Sequence, residues 1–310
     1  MNKVTPRRLK VCTRSSDAVL RDSYYVMLKD GSTWLIKGCC HSHTWYSAIP
    51  VRPRIRNPAD VPLVEGRTII PPFTPFPITI VWRHEIMKVL DPLKWRAPST
   101  WIGSRALELL ENLRSVLEYS SVGITGSLLL KGVGNDVDIV IYADECRDVD
   151  PQHIAELLTK ILKPLENTFL KEEVPKADGL PHNFRVLNLA SNPLFGVYAG
   201  VPVSIRIVDC RMSEAVCDKK YTWNRKLLRV EVEESLSPYT TPAIYRLRDI
   251  YGVRYFAYTN RLSLTNLGPG TLIRGIMIVE HSVRYGHVIN LDRSTSLYVE
   301  KFKPFSENLG

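Results

Sequence analysis

"GITGSLLLKGVGNDVDIVIY", residues 123–142, places a glycine-serine pair at the end of one short apolar run and two aspartates at the start of another. "SVGIT" and "DVDIVIY" are short, β-branched and bounded by turn residues, so each predicts a strand. "GSLLLKG" between them predicts a turn opening a short helix. Side chains two apart on a strand point the same way, so Asp136 and Asp138 share one face. Paired carboxylates repel unless a cation lies between them. Oxygen-rich sites of this kind suit Mg²⁺ (or Mn²⁺), which keeps several waters and bridges to phosphates. Gly126 lets the backbone come close, Ser127 offers a hydroxyl, and the N–H groups of a helix start can hold phosphate oxygens.

Working outward, helix and strand signals alternate. In "PSTWIGSRALELLENLRSVLEYS" the leucines 107, 109, 110, 113 and 117 recur at helical spacing, with Ser104 as the expected cap. "DPQHIAELLTKILKPLENTFLKEE" predicts a helix with Pro151 in its first turn. "VYAGVPVSIRIVD" predicts a hairpin turning at Ala199-Gly200. On the N-terminal side, "SYYVMLKDGSTWLIKG" is a hairpin around Asp30-Gly31, "TWYSAIPVRPR" a further strand, and "ITIVWRHEIMKVLDP" a strand passing into a short helix. From Tyr239 on, "AIYRLRDI", "VRYFAYTN", "TLIRGIMIVEH" and "HVINLD" alternate apolar and polar residues, which predicts a small barrel or sandwich.

The pattern Gly126-Ser127, then Asp136-Val137-Asp138 followed by "IVIY", resembles the signature of the polymerase-β-type nucleotidyltransferases. "GITGSLLL" and "DVDIVIYAD" are similar to archaeal nucleotidyltransferase-domain proteins, and the likeness extends to "KDGSTWLIKG", "PAIYRL" and "LYVEKF". The resemblance implies a multidomain α+β/α/β chain. Its central polymerase-beta-like nucleotidyltransferase core, a mixed sheet with helices, would span residues 101–235. An N-terminal basic β module (1–70), a linker and strand (71–100) and a C-terminal β domain (236–310) would flank it. The resemblance further implies that Asp136 and Asp138 hold the metal and act in catalysis, and that Gly126 and Ser127 cradle the phosphates of an NTP.

Catalytic members of that family carry a third carboxylate on a later strand. Matching the hairpin to the family pattern puts Ser204 in that position. Asp209 lies five residues on, an odd spacing that turns it to the other side of a regular strand. Asp144 and Glu145 lie beyond the far end of the aspartate strand. A general base is typically worth about 10²–10⁴-fold in rate, so two readings stand. One is nucleotidyl transfer to a hydroxyl acceptor, with nucleic acid the expected acceptor. The other is a catalytically degenerate module binding RNA or a ribonucleoprotein.

Charge favours an anionic partner. The formal net charge is +9, and residues 1–99 carry all of the excess, 16 Lys and Arg against 7 Asp and Glu. Arg52, Arg54 and Arg56 recur every second residue in "VRPRIRNP", near Trp45 and Tyr46. "DKKYTWNRKLLR", with Lys219, Lys220, Arg225 and Lys226, is a second basic face, expected on a helix. Both are candidate contacts to RNA or DNA. "CCHSHTW" gathers thiols and imidazoles, but adjacent cysteines lack the spacing of a structural zinc site, and a partly buried loop is expected. No apolar run is long enough to span a bilayer, no secretory leader is evident, and a cytoplasmic setting is expected. Gln152 is the only glutamine. Depletion of that amide is one mark of a hyperthermophile, whose interior tolerates disulfides, so the six cysteines leave their pairing open.

Overall fold

A computed structural model describes residues 20–51, 66–117, 121–143, 150–165 and 180–308. Three bodies of strand follow one another along the chain. The first is an antiparallel sheet of β1 (Tyr25–Leu28), β2 (Thr33–Ile36), β3 (Trp45–Pro50), β4 (Thr68–Ile69), β5 (Ile78–Trp82) and β6 (Ile86–Leu90), in the order β4-β5-β3-β2-β1-β6. The hairpin turns at Gly31, whose φ of 81° a residue with a side chain seldom adopts. β6 closes the sheet against β1 where a short helix was predicted. Residues 83–85 form only a single 3₁₀ turn before extended backbone resumes.

The second body holds α1 (Trp101–Leu117), β7 (Val122–Ile124), α2 (Gly126–Lys131), β8 (Val137–Tyr142), α3 (Pro151–Ile161), α4 (His182–Ser191), β9 (Phe195–Tyr198) and β10 (Val201–Val208). A later strand, β12 (Thr240–Thr241), joins its sheet in the order β12-β10-β8-β7, and β9 pairs with β10. The helix start on α1 is Thr100, whose Oγ1 accepts from the Gly103 amide at 3.1 Å; Ser104 donates back to the Thr100 carbonyl at 3.2 Å. Asp150 caps α3 by accepting from the Gln152 amide at 2.9 Å. Val137, Ile139 and Ile141 of β8 and Val203, Ile205 and Ile207 of β10 face Leu109, Leu113 and Leu158 in one core. The alternate residues Val140, Tyr142 and Val208 face the first sheet and pack on Val26, Leu28, Trp34 and Ile36.

The third body is a closed barrel of β11 (Lys220–Ser237), β13 (Ala243–Asp249), β14 (Arg254–Thr259), β16 (Gly286–Lys301) and β15 (Leu272–Ser282). β11 occupies the stretch predicted as a basic helix. Its run of Tyr, Thr and Trp favours extended backbone, and it pairs with β15 over residues 220–231 and with β13 beyond. Leu180, just before α4, and Phe184 within it join the barrel core.

This architecture corrects the expected fold class. The chain is not built around a polymerase-beta-like α+β/α/β core: strands outweigh helices, and the sheets are largely antiparallel. Among the described residues, parallel pairing is confined to β8–β10, β10–β12 and β14–β16. Periodicity placed most of the elements, including strands on both sides of the central residues, but it did not show that residues 86–90 and 220–237 are strands rather than helices. α5 (Glu214–Cys217) ends the central body. No described helix is long and apolar enough to cross a membrane.

Candidate functional site

Asp136 and Asp138 flank the buried Val137, so strand alternation turns both away from the central core. β10 runs parallel to β8, and Ser204 is the register partner of Asp138. The Ser204 hydroxyl donates to Asp138 Oδ1 at 2.5 Å. On its other side the carboxylate lies where a side chain on residue 126 would start: a Cβ there would overlap Asp138 Oδ2. Gly126 also has a φ of 63°. Only glycine meets both conditions.

Ser127 is held by the turn before β8. A Cβ on Gly134 would overlap the Ser127 hydroxyl and lie 3.4 Å from the Asp136 carbonyl oxygen. Gly126 therefore lies against the Asp138 carboxylate and Ser127 against Gly134 of the turn that leads into Asp136, where α2 starts beside β8. Thr125 binds this junction to the first sheet: its amide donates to the Asp138 carbonyl at 2.9 Å, and its Oγ1 donates to the Ser23 carbonyl at 2.9 Å. Thr125 consequently gives α2 no side-chain cap. Tyr25 overlooks the site and hydrogen-bonds Thr125. Burial, then the nearby Asp138 carboxylate, pushes its phenol up to about 12, so it remains an O–H group at neutral pH.

Two carboxylates and two hydroxyls are hard oxygen donors of the kind Mg²⁺ accepts when phosphates complete its shell. The chemistry of this donor set suits such an ion. Among the described residues no cluster of three His, Cys, Asp or Glu side chains forms. Asp209 does not add a third carboxylate to the pair. Its Oδ1 accepts from the Arg211 amide at 3.1 Å and from Nε at 2.9 Å, and Oδ2 accepts from Nη2 at 2.9 Å. Asp144 and Glu145 lie outside the described residues.

Beside the site is a charged cluster that local sequence does not signal. Asp22 is fully buried, accepting from the Gly38 amide at 2.8 Å and the Ser23 hydroxyl at 2.9 Å. Lys37 Nζ and Arg206 Nε approach it at 3.8 and 3.7 Å. Desolvation works to raise the Asp22 carboxyl, yet Lys37, Arg206 and the hydrogen bonds hold it below the usual carboxylate value. Arg206 is two residues from Ser204 and shares its strand face.

The predicted basic contacts divide. Arg52, Arg54 and Arg56 lie outside the described residues. Lys219 is exposed, with Nζ 5.1 Å from the Tyr221 ring centroid. Lys220 is buried, donates to the Asp218 carbonyl at 3.0 Å and lies near Glu280; its ammonium points inward. Tyr221 and Trp223 are 56% and 39% exposed, and the Arg225 guanidinium sits 5.9 Å from the Trp223 ring. Cys39 and Cys40 are joined to Cys210 and Cys217 as disulfides, which removes their thiolates as metal ligands. Comparison with protein-family models, with curated proteins and with solved structures finds no match to this chain.

Proposed function

We propose that the chain binds a nucleoside triphosphate with one divalent cation at Asp136 and Asp138, its phosphates against Gly126 and Ser127, and does not transfer the nucleotidyl group. The observation that carries this reading is the Ser204–Asp138 hydrogen bond between register partners on adjacent parallel strands. A hydroxyl stands where an acid would be needed to take a proton from an attacking acceptor, and a serine hydroxyl stays protonated near neutral pH. Mg²⁺ bound by the two aspartates would screen the charge of the phosphate oxygens. Ser204 meanwhile orients Asp138, Gly126 leaves room for its carboxylate, and Tyr25 covers it with a neutral hydroxyl. This arrangement supports holding a triphosphate and offers no base to activate an acceptor.

The test combines Mn²⁺ titration followed by electron paramagnetic resonance with NTP binding by calorimetry and a label-transfer assay on mixed RNA and DNA. Expected are nucleotide-dependent Mn²⁺ binding, its loss in Asp138→Asn, and no transfer. Transfer of label that disappears in Asp136→Ala would establish the enzyme instead.

A second reading, contact with single-stranded nucleic acid, is favoured by the outer face of β11. Exposed Tyr221 and Trp223 beside Lys219 and Arg225 combine stacking surfaces with cations. Filter binding over a salt series tests it: affinity should fall steeply with ionic strength and drop in Trp223→Ala. Two disulfides are compatible with the expected cytoplasmic setting if the cell is a hyperthermophile.

A further inference from the structure

The three bodies of strand line a half-open cleft of about 540 Å³, within the usual range for small-molecule sites and far larger than a packing defect. Four cationic side chains line it: Lys37 from the first sheet, Arg206 from the central sheet, and Arg261 and Arg293 from the barrel. Asp292 is the acid in the lining, with Asp22 buried behind Lys37 and Arg206.

The two acids offset only two of the four formal charges. Asp292 is committed to the end of β14, accepting from Thr259 Oγ1 at 2.6 Å, from the Asn260 amide at 3.0 Å and from Asn260 Nδ2 at 2.8 Å. Asp22 serves both Lys37 and Arg206. Arg206 Nη1 donates to Thr241 Oγ1 and to the Asn260 carbonyl, each at 3.2 Å. Arg293 Nη2 donates to the Pro77 carbonyl at 3.1 Å, and Arg261 Nη2 to the Asp292 carbonyl at 2.6 Å. These contacts, with Asp22 on Arg206, orient the guanidinium groups, and among the described lining residues the cations outnumber the acids. The pockets of charge alternate with apolar wall from Phe73, Ile78 and Tyr258.

We infer that this cavity is a binding site for a small organic phosphate monoester with an apolar, ring-sized body, distinct from the Asp136–Asp138 site. Planar guanidinium groups match phosphate oxygens, and positions held by carbonyls keep them oriented before the ligand arrives. The apolar wall accepts the body, which separates such a ligand from inorganic phosphate. Burial lowers the Lys37 ammonium from its usual value, and a bound dianion would favour its charged form. Because each wall belongs to a different body of strand, the ligand would also bridge all three.

1-Naphthyl phosphate, 1-naphthol and inorganic phosphate serve as probes in calorimetry on the full chain with its disulfides intact. The expected result is binding of 1-naphthyl phosphate at least tenfold tighter than either of the other two. Arg293→Gln should weaken it at least tenfold, and Ile78→Trp, which fills the cavity, should abolish it, each with melting checked to show a folded chain. Asp138→Asn should leave it unchanged, so failure here is separable from failure of the nucleotide reading. No binding of 1-naphthyl phosphate at millimolar concentration, equal binding of inorganic phosphate, or undiminished binding in folded Arg293→Gln and Ile78→Trp would each overturn the inference.

Discussion

Ser204 donates to Asp138 where the family resemblance implied an acid, and the consequence can be measured in both directions. Ser204→Ala leaves Asp138 Oδ1 without this donor, at a cost of about 1–3 kcal/mol for a half-buried polar group. Denaturant unfolding should show it. Ser204→Asp should instead tighten Mn²⁺ by restoring a third carboxylate, and unchanged Mn²⁺ affinity would count against the shared face. Gly126→Ala should destabilise by roughly 1–3 kcal/mol from the left-handed backbone alone, and by more because its Cβ overlaps Asp138. Its Mn²⁺ affinity should fall with its melting temperature. The face of Asp136 and Asp138 was legible from a two-residue spacing, because strand alternation is a local rule. The pairing of Asp138 with Ser204 was anticipated only as a position within a pattern. Asp22 had no signal at all: its partner Arg206 comes from a strand far along the chain, and a lone buried acid looks in sequence like any surface aspartate.

Helices and strands differ in how fully their own residues specify them. α1 and the hairpins at Asp30-Gly31 and Ala199-Gly200 formed where apolar period and turn residues placed them, whereas α3 starts as expected but ends at Ile161, short of the stretch read as helical, and residues 166–173 of that stretch lie outside the described residues. Ala199 and Gly200 have φ of 48° and 80°, the positive values a tight hairpin turn requires. Caps were less certain: Thr100, not Ser104, accepts the first amide of α1, and Thr100→Ala should cost about 1 kcal/mol of stability in thermal melts. β6 and β11 were read as helical because short runs mixing apolar and basic residues fit either period. Their edges settle the matter, since β1 and β15 offer unpaired backbone to them. "CCHSHTW" carried no pairing information, since Cys39 and Cys40 meet partners 171 and 177 residues away. Either disulfide alone closes this long loop, worth about 5 kcal/mol of unfolded-chain entropy, while the second then closes only a short ring worth roughly 2–3 kcal/mol. Loss of Cys39–Cys210 alone, or Cys40–Cys217 alone, should therefore cost the smaller amount. Removing both should cost far more than twice that, and additive losses in guanidinium unfolding would refute the shared-loop picture.

Across the molecule, stability should depend on pH through the buried Asp22 and the half-buried His41. Asp22 is held below its usual value when folded, so its contribution is complete above the unfolded carboxylate value near 3.8 and is lost as pH falls through the lower folded one. Burial pushes His41 down to about 4 from 6.5, so the unfolded chain takes up the proton first and stability declines as pH drops from 6.5 towards 4. His41 Nδ1 accepts from the Ser47 amide at 3.2 Å, a bond that protonation at that nitrogen would break. Melting temperature against pH should show both slopes, and His41→Gln should remove the one between 6.5 and 4 while leaving the acid limb.

Residue order alone established the alternating faces of β8 and β10, the glycine turns, the apolar stripe of α1 and the excess of basic residues before residue 100. Each follows from geometry that repeats over two to four residues, so neighbours along the chain carry the information. Packing in three dimensions decided for a closed barrel over a sandwich and added the strand-dominated architecture, the disulfide partners, the Asp22 cluster and the cavity lined by arginines. Those features join segments separated by tens to hundreds of residues, and which distant surfaces meet is settled by the burial and charge balance of the whole chain.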